Sequence, residues 1–114
     1  MITVMSFDLY NGLPSEVDCL IDARTLRNPA PHPRFYNKNG LDKEYQGLLF
    51  SMKHNQEALK EAKKFARRQA WENNNICIGV GCERGMFRSA AVAERVGRFL
   101  QKEGYDVKVV HAAI

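Results

Sequence analysis

The chain has 114 residues and a mass of 13.0 kDa, enough for one hydrophobic core of ordinary size and too little for two. With 45% hydrophobic, 10% aromatic and 26% charged residues it belongs with folded globular chains, outside the disordered and fibrous classes. The longest uncharged apolar run, Ile76 to Cys82, contains two glycines and falls far short of the roughly 20 residues of a membrane span. No leader-like stretch opens the chain, so neither membrane insertion nor secretion is expected. Lys and Arg number 17 against 13 Asp and Glu, a formal charge of +4 with a pI near 9.1, which favours anionic partners without naming one. Cys19, Cys77 and Cys82 are odd in number and form no C-x-x-C pair, so neither a disulfide framework nor a zinc site of ordinary ligand spacing is expected, and a reducing, cytoplasmic setting fits best.

Ile2 to Leu9 is a β-rich run closed by the turn-forming Asn11-Gly12-Leu13-Pro14, so a first strand is predicted there. Cys19-Leu20-Ile21 predicts a short second strand that ends on the polar Asp22-Ala23-Arg24. Pro29, Pro31 and Pro33 then hold the chain extended, which excludes helix from Asn28 to Pro33. Asp42 through Trp71 is the main helical region, with a break near Lys53-His54-Asn55. Its second half places Leu59, Ala62, Phe65, Ala66 and Ala70 on one stripe and Lys60, Lys63, Lys64, Arg67 and Arg68 on a solvated, basic outer face.

Ile76 to Gly81 is apolar on both alternating faces, the pattern of a central parallel strand buried on both sides. From Arg88 to Glu103, Val92, Ala93, Val96, Phe99 and Leu100 recur at helical spacing, and Gly104 stops the helix. Val107 to Val110 supplies a last strand after a crossover long enough for parallel pairing. The expected fold is α/β, a small three-layer sandwich with a mainly parallel four-stranded sheet, and residues 1–114 form a single domain without repeats or linkers.

Between the central strand and the last helix runs Gly81-Cys82-Glu83-Arg84-Gly85-Met86-Phe87-Arg88-Ser89. Parallel sheets bind ligands beyond the carboxyl ends of their strands, and a helix N-terminus offers unpaired N–H groups and partial positive charge. Gly85 allows consecutive amides to turn inward as a nest, and Arg88 adds a planar donor fork, so phosphate is the expected ligand of the Cys82 to Ser89 loop. The spacing also fits C-x5-R-S, the loop of cysteine-dependent phosphatases, in which Cys82 would be the nucleophile, Arg88 would stabilise the transition state and Ser89 would assist the leaving thiolate. Gly81 stands where the tyrosine-specific and dual-specificity enzymes carry a histidine, and only Asp22 and Asp42 offer themselves as general acids. Cys82 as a buried small hydrophobe is the competing reading, and Cys19 and Cys77 are expected in the core. His32, His54 and His111 are scattered, so no metal and no cofactor are assigned. Dinucleotide and Walker A motifs do not occur.

Four motifs in order, Ser6-Phe7 with Gly12-Leu13-Pro14, Asp22-Ala23-Arg24 with Leu26-Arg27-Asn28-Pro29, Gly40-Leu41-Asp42, and Gly81 to Ser89 with Ala93-Glu94, are similar to a known pattern. They resemble the C-terminal domain of the RNase adapter protein RapZ and its relatives. Arg84 and Phe87 stand where that pattern has glycine and histidine. The resemblance implies an α/β domain like a phosphofructokinase subdomain that binds a phosphorylated amino sugar, helps recognise small RNAs and self-associates. It places Cys82, Glu83, Gly85, Arg88 and Ser89 on the phosphate pocket, with Asp22, Arg24 and Asn28 at the neighbouring strand end. The family's nucleotide-binding N-terminal domain is not in this sequence, and His111-Ala112-Ala113-Ile114 stand where the adapter carries a basic tail.

The leading expectation is therefore a non-catalytic sensor or adapter that holds a phosphorylated small molecule on Cys82, Glu83, Arg84, Gly85, Met86, Phe87, Arg88 and Ser89, with Asp22, Arg24 and Asn28 beside them. The alternative is the phosphatase. RNA contact through Arg84, Arg95, Arg98 and the basic helix, and assembly with further copies, complete the expected partners. Asp22 with Arg24 as a plain ion pair, Asn28 as a turn cap and Phe87 as core or pocket wall are the bland readings of the same residues.

Overall fold

The computed structural model of the chain describes residues 1–29 and 32–114. Ala30 and Pro31 of the proline segment lie outside the described residues. Four strands, β1 (Ile2–Asp8), β2 (Cys19–Asp22), β3 (Cys77–Cys82) and β4 (Val107–His111), form one sheet in the order β2-β3-β1-β4. Every pairing is parallel. Three helices join them: α1 (Lys43–Leu49), α2 (Lys53–Glu72) and α3 (Arg88–Lys102). The register sets Asp8 beside Cys82 and Asp22 beside Gly81, so β2, β3 and β1 end level with one another.

Alternation along β1 sorts the two faces. Ile2, Val4 and Ser6 are buried on the side of α3, whose Val92, Ala93, Val96 and Leu100 are fully buried. Ile78 and Val80 of β3 complete that core, joined by the Leu59, Ala62, Ala66 and Ala70 stripe of α2. Phe65 is half-buried at its margin. On the other face the β1–β2 connection crosses the sheet, and Leu9 and Val17, with Phe7 of β1, pack over Gly79 and Gly81. Helices, sheet and crossing segment make the three layers of a small α/β sandwich, with a sheet that is parallel throughout. No helix among the described residues is long and apolar enough to cross a membrane.

The structure departs locally from the sequence reading at four places. Strand β1 ends at Asp8 rather than Leu9, because the Asp8 carboxylate accepts from the Tyr10 N–H at 2.9 Å and turns residues Leu9–Asn11 into a 3-10 turn. The helical break lies at Phe50–Met52, not at Lys53-His54-Asn55, and those three residues open α2. Cys19 and Cys77 are half-buried, at the margin of the core rather than inside it. A 3-10 turn begins at Pro33, where the fixed φ and missing N–H of proline cost a helical start nothing.

Asn55 explains why its polar cluster does not break the helix. Its side chain is fully buried, accepts from the Arg27 N–H at 2.8 Å, and donates to the carbonyls of Arg27 at 2.9 Å and Leu49 at 2.8 Å. One amide thus replaces a missing strand partner for Arg27 and ties the 26–28 segment to the α1–α2 corner. At the opposite edge, Ser6 Oγ lies 2.7 Å from His111 Nδ1, and His111 Nε2 lies 3.1 Å from Glu94, which pins the end of β4 to β1 and α3. Asn55→Ala leaves buried backbone groups unsatisfied and is expected to cost about 2–3 kcal/mol in urea unfolding with an unchanged denaturant slope. A loss below about 0.5 kcal/mol, the range of an ordinary surface change, would contradict this role.

Candidate functional site

Strand β3 ends at Cys82 and α3 begins at Arg88, so five residues turn the chain at the carboxyl edge of the sheet. Arg84 and Gly85 both hold positive φ, +65° and +70°. Gly85 is buried against the β1 backbone, and a Cβ there would collide with the peptide between Phe7 and Asp8, so only glycine fits. Arg84 occupies the same left-handed region at a cost of about 1–2 kcal/mol and carries its guanidinium into the open. The loop is held from outside by Gly40, whose N–H donates to the Met86 carbonyl at 2.7 Å and whose Cα rests against Phe87 and α3 without room for a side chain. Asp42, two residues on, caps α1 by accepting from the Tyr45 N–H at 2.9 Å.

Among the described residues no acceptor receives the peptide N–H groups of Arg84, Gly85, Met86 and Phe87. The next amide but one is committed: the Ser89 N–H donates to Cys82 Sγ at 3.3 Å, and Ser89 Oγ lies 3.2 Å from the same sulfur. Cys82 is 1% exposed and packs within the core. It therefore anchors the loop from behind. Arg88 braces it laterally, its Nη1 donating to the carbonyls of Arg24 at 3.1 Å and Leu26 at 3.0 Å, while its Nε is buried with no acceptor among the described residues.

Asn28, Glu83, Arg84, Phe87 and Arg88 come together with Phe35 and Tyr36 around a cavity of about 360 Å³. Gly85, Ser89 and Cys82 are buried and do not line it, and Met86 is half-buried with its carbonyl spent on Gly40. Asp22 and Arg24 are joined to each other at 2.7 Å, so the ion-pair reading describes their geometry, and Arg24 reaches the site through the carbonyl that Arg88 holds. Phe87 is a pocket wall. Its ring lies 5.1 Å from that of Tyr45, which in turn meets Phe35 at 5.5 Å. The Tyr45 hydroxyl donates to Asn28 Oδ1 at 2.7 Å. Sequence reasoning missed Phe35, Tyr36, Tyr45 and the strand-end Asp8. Asp8 alone left a signal, a carboxylate between a strand and an Asn-Gly turn.

The family model of the RapZ C-terminal domain matches residues 1–114. This chain belongs to the RapZ C-terminal domain family. Similar proteins include ones named nucleotide-binding protein from Lachnoclostridium phytofermentans (31% identical, 96% of this chain and 40% of the relative). Others with that name come from Thermotoga neapolitana (30%; 96% and 41%) and Petrotoga mobilis (32%; 99% and 41%). The chain thus spans about two fifths of the length of these relatives.

In this RapZ C-terminal domain the charges around the cavity are unequal. The Arg24 guanidinium, bonded to both oxygens of Asp22, holds that carboxyl below its usual value, and the Arg24 N–H and the Arg88 charge act the same way. The Glu83 carboxylate beside Tyr10 pushes the Tyr10 phenol up. Burial pushes the Tyr45 phenol up as well, so its hydroxyl keeps its proton as the donor to Asn28. A depressed carboxyl contributes stability above its unfolded value, about 3.9 for aspartate, and loses it as pH falls through the folded value. The stability difference between the native chain and Asp22→Asn is therefore expected to be constant above about pH 5 and to shrink toward pH 2. A difference in urea midpoint that does not change with pH would show that the pair does not couple to folding.

Proposed function

We propose that this domain is a phosphate-ligand binding module, a sensor or adapter in which the 83–88 loop receives the anion. The observation that carries the reading is the set of four uncommitted amides at Arg84 to Phe87, in a turn with two positive φ angles, at the start of a 15-residue helix. Such a place offers N–H donors and the positive end of the helix dipole together. Arg84 at the mouth and Arg88 at the wall add positive charge, and the formal charge of +4 favours the approach of an anion. Because Arg88 Nη1 is spent on two carbonyls, the backbone amides are the main ligands and Arg88 acts chiefly as the brace that sets their position.

The phosphatase reading has less support. A phosphocysteine requires the sulfur to meet phosphorus in line, and Cys82 Sγ is buried behind the loop against Ser89. RNA contact through Arg95 also finds little support, since that guanidinium lies 4.6 Å from the Phe50 ring centroid and donates to Gln46 at 3.3 Å. Calorimetric titration with inorganic phosphate at low salt is expected to show saturable binding. Arg84→Gly, which relaxes the backbone but removes an exposed charge, is expected to weaken it by about 1 kcal/mol without loss of stability. No binding at millimolar phosphate by the folded native chain would reject the proposal.

A further inference from the structure

The edge of the sheet opposite the β3–α3 loop carries a second concave surface. Helix α2 ends at Glu72 shortly before β3, and α3 ends at Lys102 shortly before β4, so both helix ends meet at the amino edge of the strands. Lys64, Arg67, Arg68, Trp71, Glu103 and Tyr105 line a groove of about 580 Å³ there. A hollow of about 400 Å³ adjoins it, shares Trp71 and Tyr105, and adds Glu72, Asn73 and Asn74. Lys64, Arg67, Arg68 and Trp71 follow one another at helical spacing, so they form one stripe along α2. Trp71, the one tryptophan of the chain, is 83% exposed, more than any other large apolar side chain among the described residues.

Singly exposed apolar residues are ordinary, but a tryptophan and a tyrosine that share a concavity with two arginines are the residue types in which protein–protein binding energy concentrates. The cations differ in readiness. Arg67 is fixed in place, 3.0 Å from Glu103 and 5.7 Å from the Phe99 ring centroid, and Lys64 lies 3.8 Å from Glu61. Arg68 is exposed and has no acidic partner among the described residues. Three cations against one carboxylate make the groove attractive to acidic groups. A nucleic-acid strand calls for a continuous row of phosphate contacts, and here Glu61, Glu103 and Glu72 interrupt the row. A polypeptide suits the mixture better, because its backbone N–H and C=O groups can meet the Asn74 amide while its side chains choose between cation and ring. Two copies joined face to face about a two-fold axis would set Lys64 and Arg68 against themselves.

We propose that this groove docks an acidic segment of another protein, which lays an apolar side chain against Trp71 and Tyr105 and its carboxylates on Arg68 and Lys64. The surface lies at the far end of the sheet from the 83–88 loop, and the proposal does not depend on the phosphate reading.

Trp71 emission reports on its own surroundings, since the chain has no other tryptophan. The native chain is titrated with a short blocked peptide of glutamates and aspartates around a phenylalanine and a leucine. Three controls accompany it: the same peptide with lysine for every acid, the same with glycine for both apolar residues, and a single-stranded oligouridylate of equal charge. The acidic apolar peptide is expected to move Trp71 emission to shorter wavelength with saturation and to bind at least tenfold more tightly than each control. Arg68→Glu, a change at an exposed position, is expected to weaken that binding at least tenfold while leaving the affinity for inorganic phosphate as in the native chain. No saturable change with the acidic apolar peptide on the folded native chain overturns the proposal, as does an equal response to either control peptide. Tighter binding of the oligouridylate overturns it in favour of nucleic acid, and emission that shifts with protein concentration alone overturns it in favour of a second copy.

Discussion

The site depends on one close approach: the Cα of Gly85 lies directly against the peptide between Phe7 and Asp8 of β1. Because nothing larger than hydrogen fits there, the loop after β3 folds back over the end of the neighbouring strand instead of running out into solvent. Its backbone enters the left-handed region at two consecutive residues, and the amides of residues 84–87 are left outside both the sheet ladder and the helix. The remaining contacts preserve that arrangement. Cys82 Sγ accepts from the Ser89 amide behind the loop, the Gly40 N–H donates to the Met86 carbonyl from the side, and Arg88 ties the start of α3 to the 24–26 turn. In this geometry the Cys82 sulfur sits where an anchor would, and the Arg88 guanidinium spans the gap to the 24–26 turn.

Much of the scaffold was legible in the sequence because single-segment patterns determine it. β-branched runs mark β1 and β3, the 3.6-residue apolar repeat marks α3, and the two-faced hydrophobicity of Ile76 to Gly81 puts β3 inside the sheet. Asn55 was misread for a related reason. A polar triplet inside an amphipathic stretch looks like a break, and only the distant Arg27 and Leu49 backbone groups reveal it as a buried partner. Arg88 posed the same difficulty, since its acceptors lie more than sixty positions away in the chain. The aromatic cluster was invisible because Phe35, Tyr45 and Phe87 come from three segments with no common period, and they meet only where Gly40 and Asp42 fold α1 onto the loop. The resemblance pointed to the same loop as the strand, glycine turn and helix pattern. It carried no information about how Arg84 and Phe87, at positions where the pattern has glycine and histidine, would reshape the cavity.

The division of labour between backbone and side chain has a consequence for how such a domain works. Under the proposed reading the anion meets backbone donors, which substitution cannot tune, while the side chains of Arg84 and Phe87 line the cavity beside them. The 24–28 segment, which Arg88 and Asn55 connect to α3 and to the α1–α2 corner, offers a physical path from the pocket to the surface of the molecule. On the proposed reading, an anion in the loop would alter the electrostatic load on Arg88 and, through its two carbonyl bonds, on the segment it holds.

The most direct measurement of the central claim is an amide ¹H–¹⁵N correlation spectrum of the native chain during titration with inorganic phosphate. The account predicts that the largest, saturating shifts occur at the amides of Arg84, Gly85, Met86 and Phe87, with smaller ones at Arg24 to Leu26. Shifts that leave those four amides unmoved, or that fall instead on the lysines and arginines along α2, would contradict it.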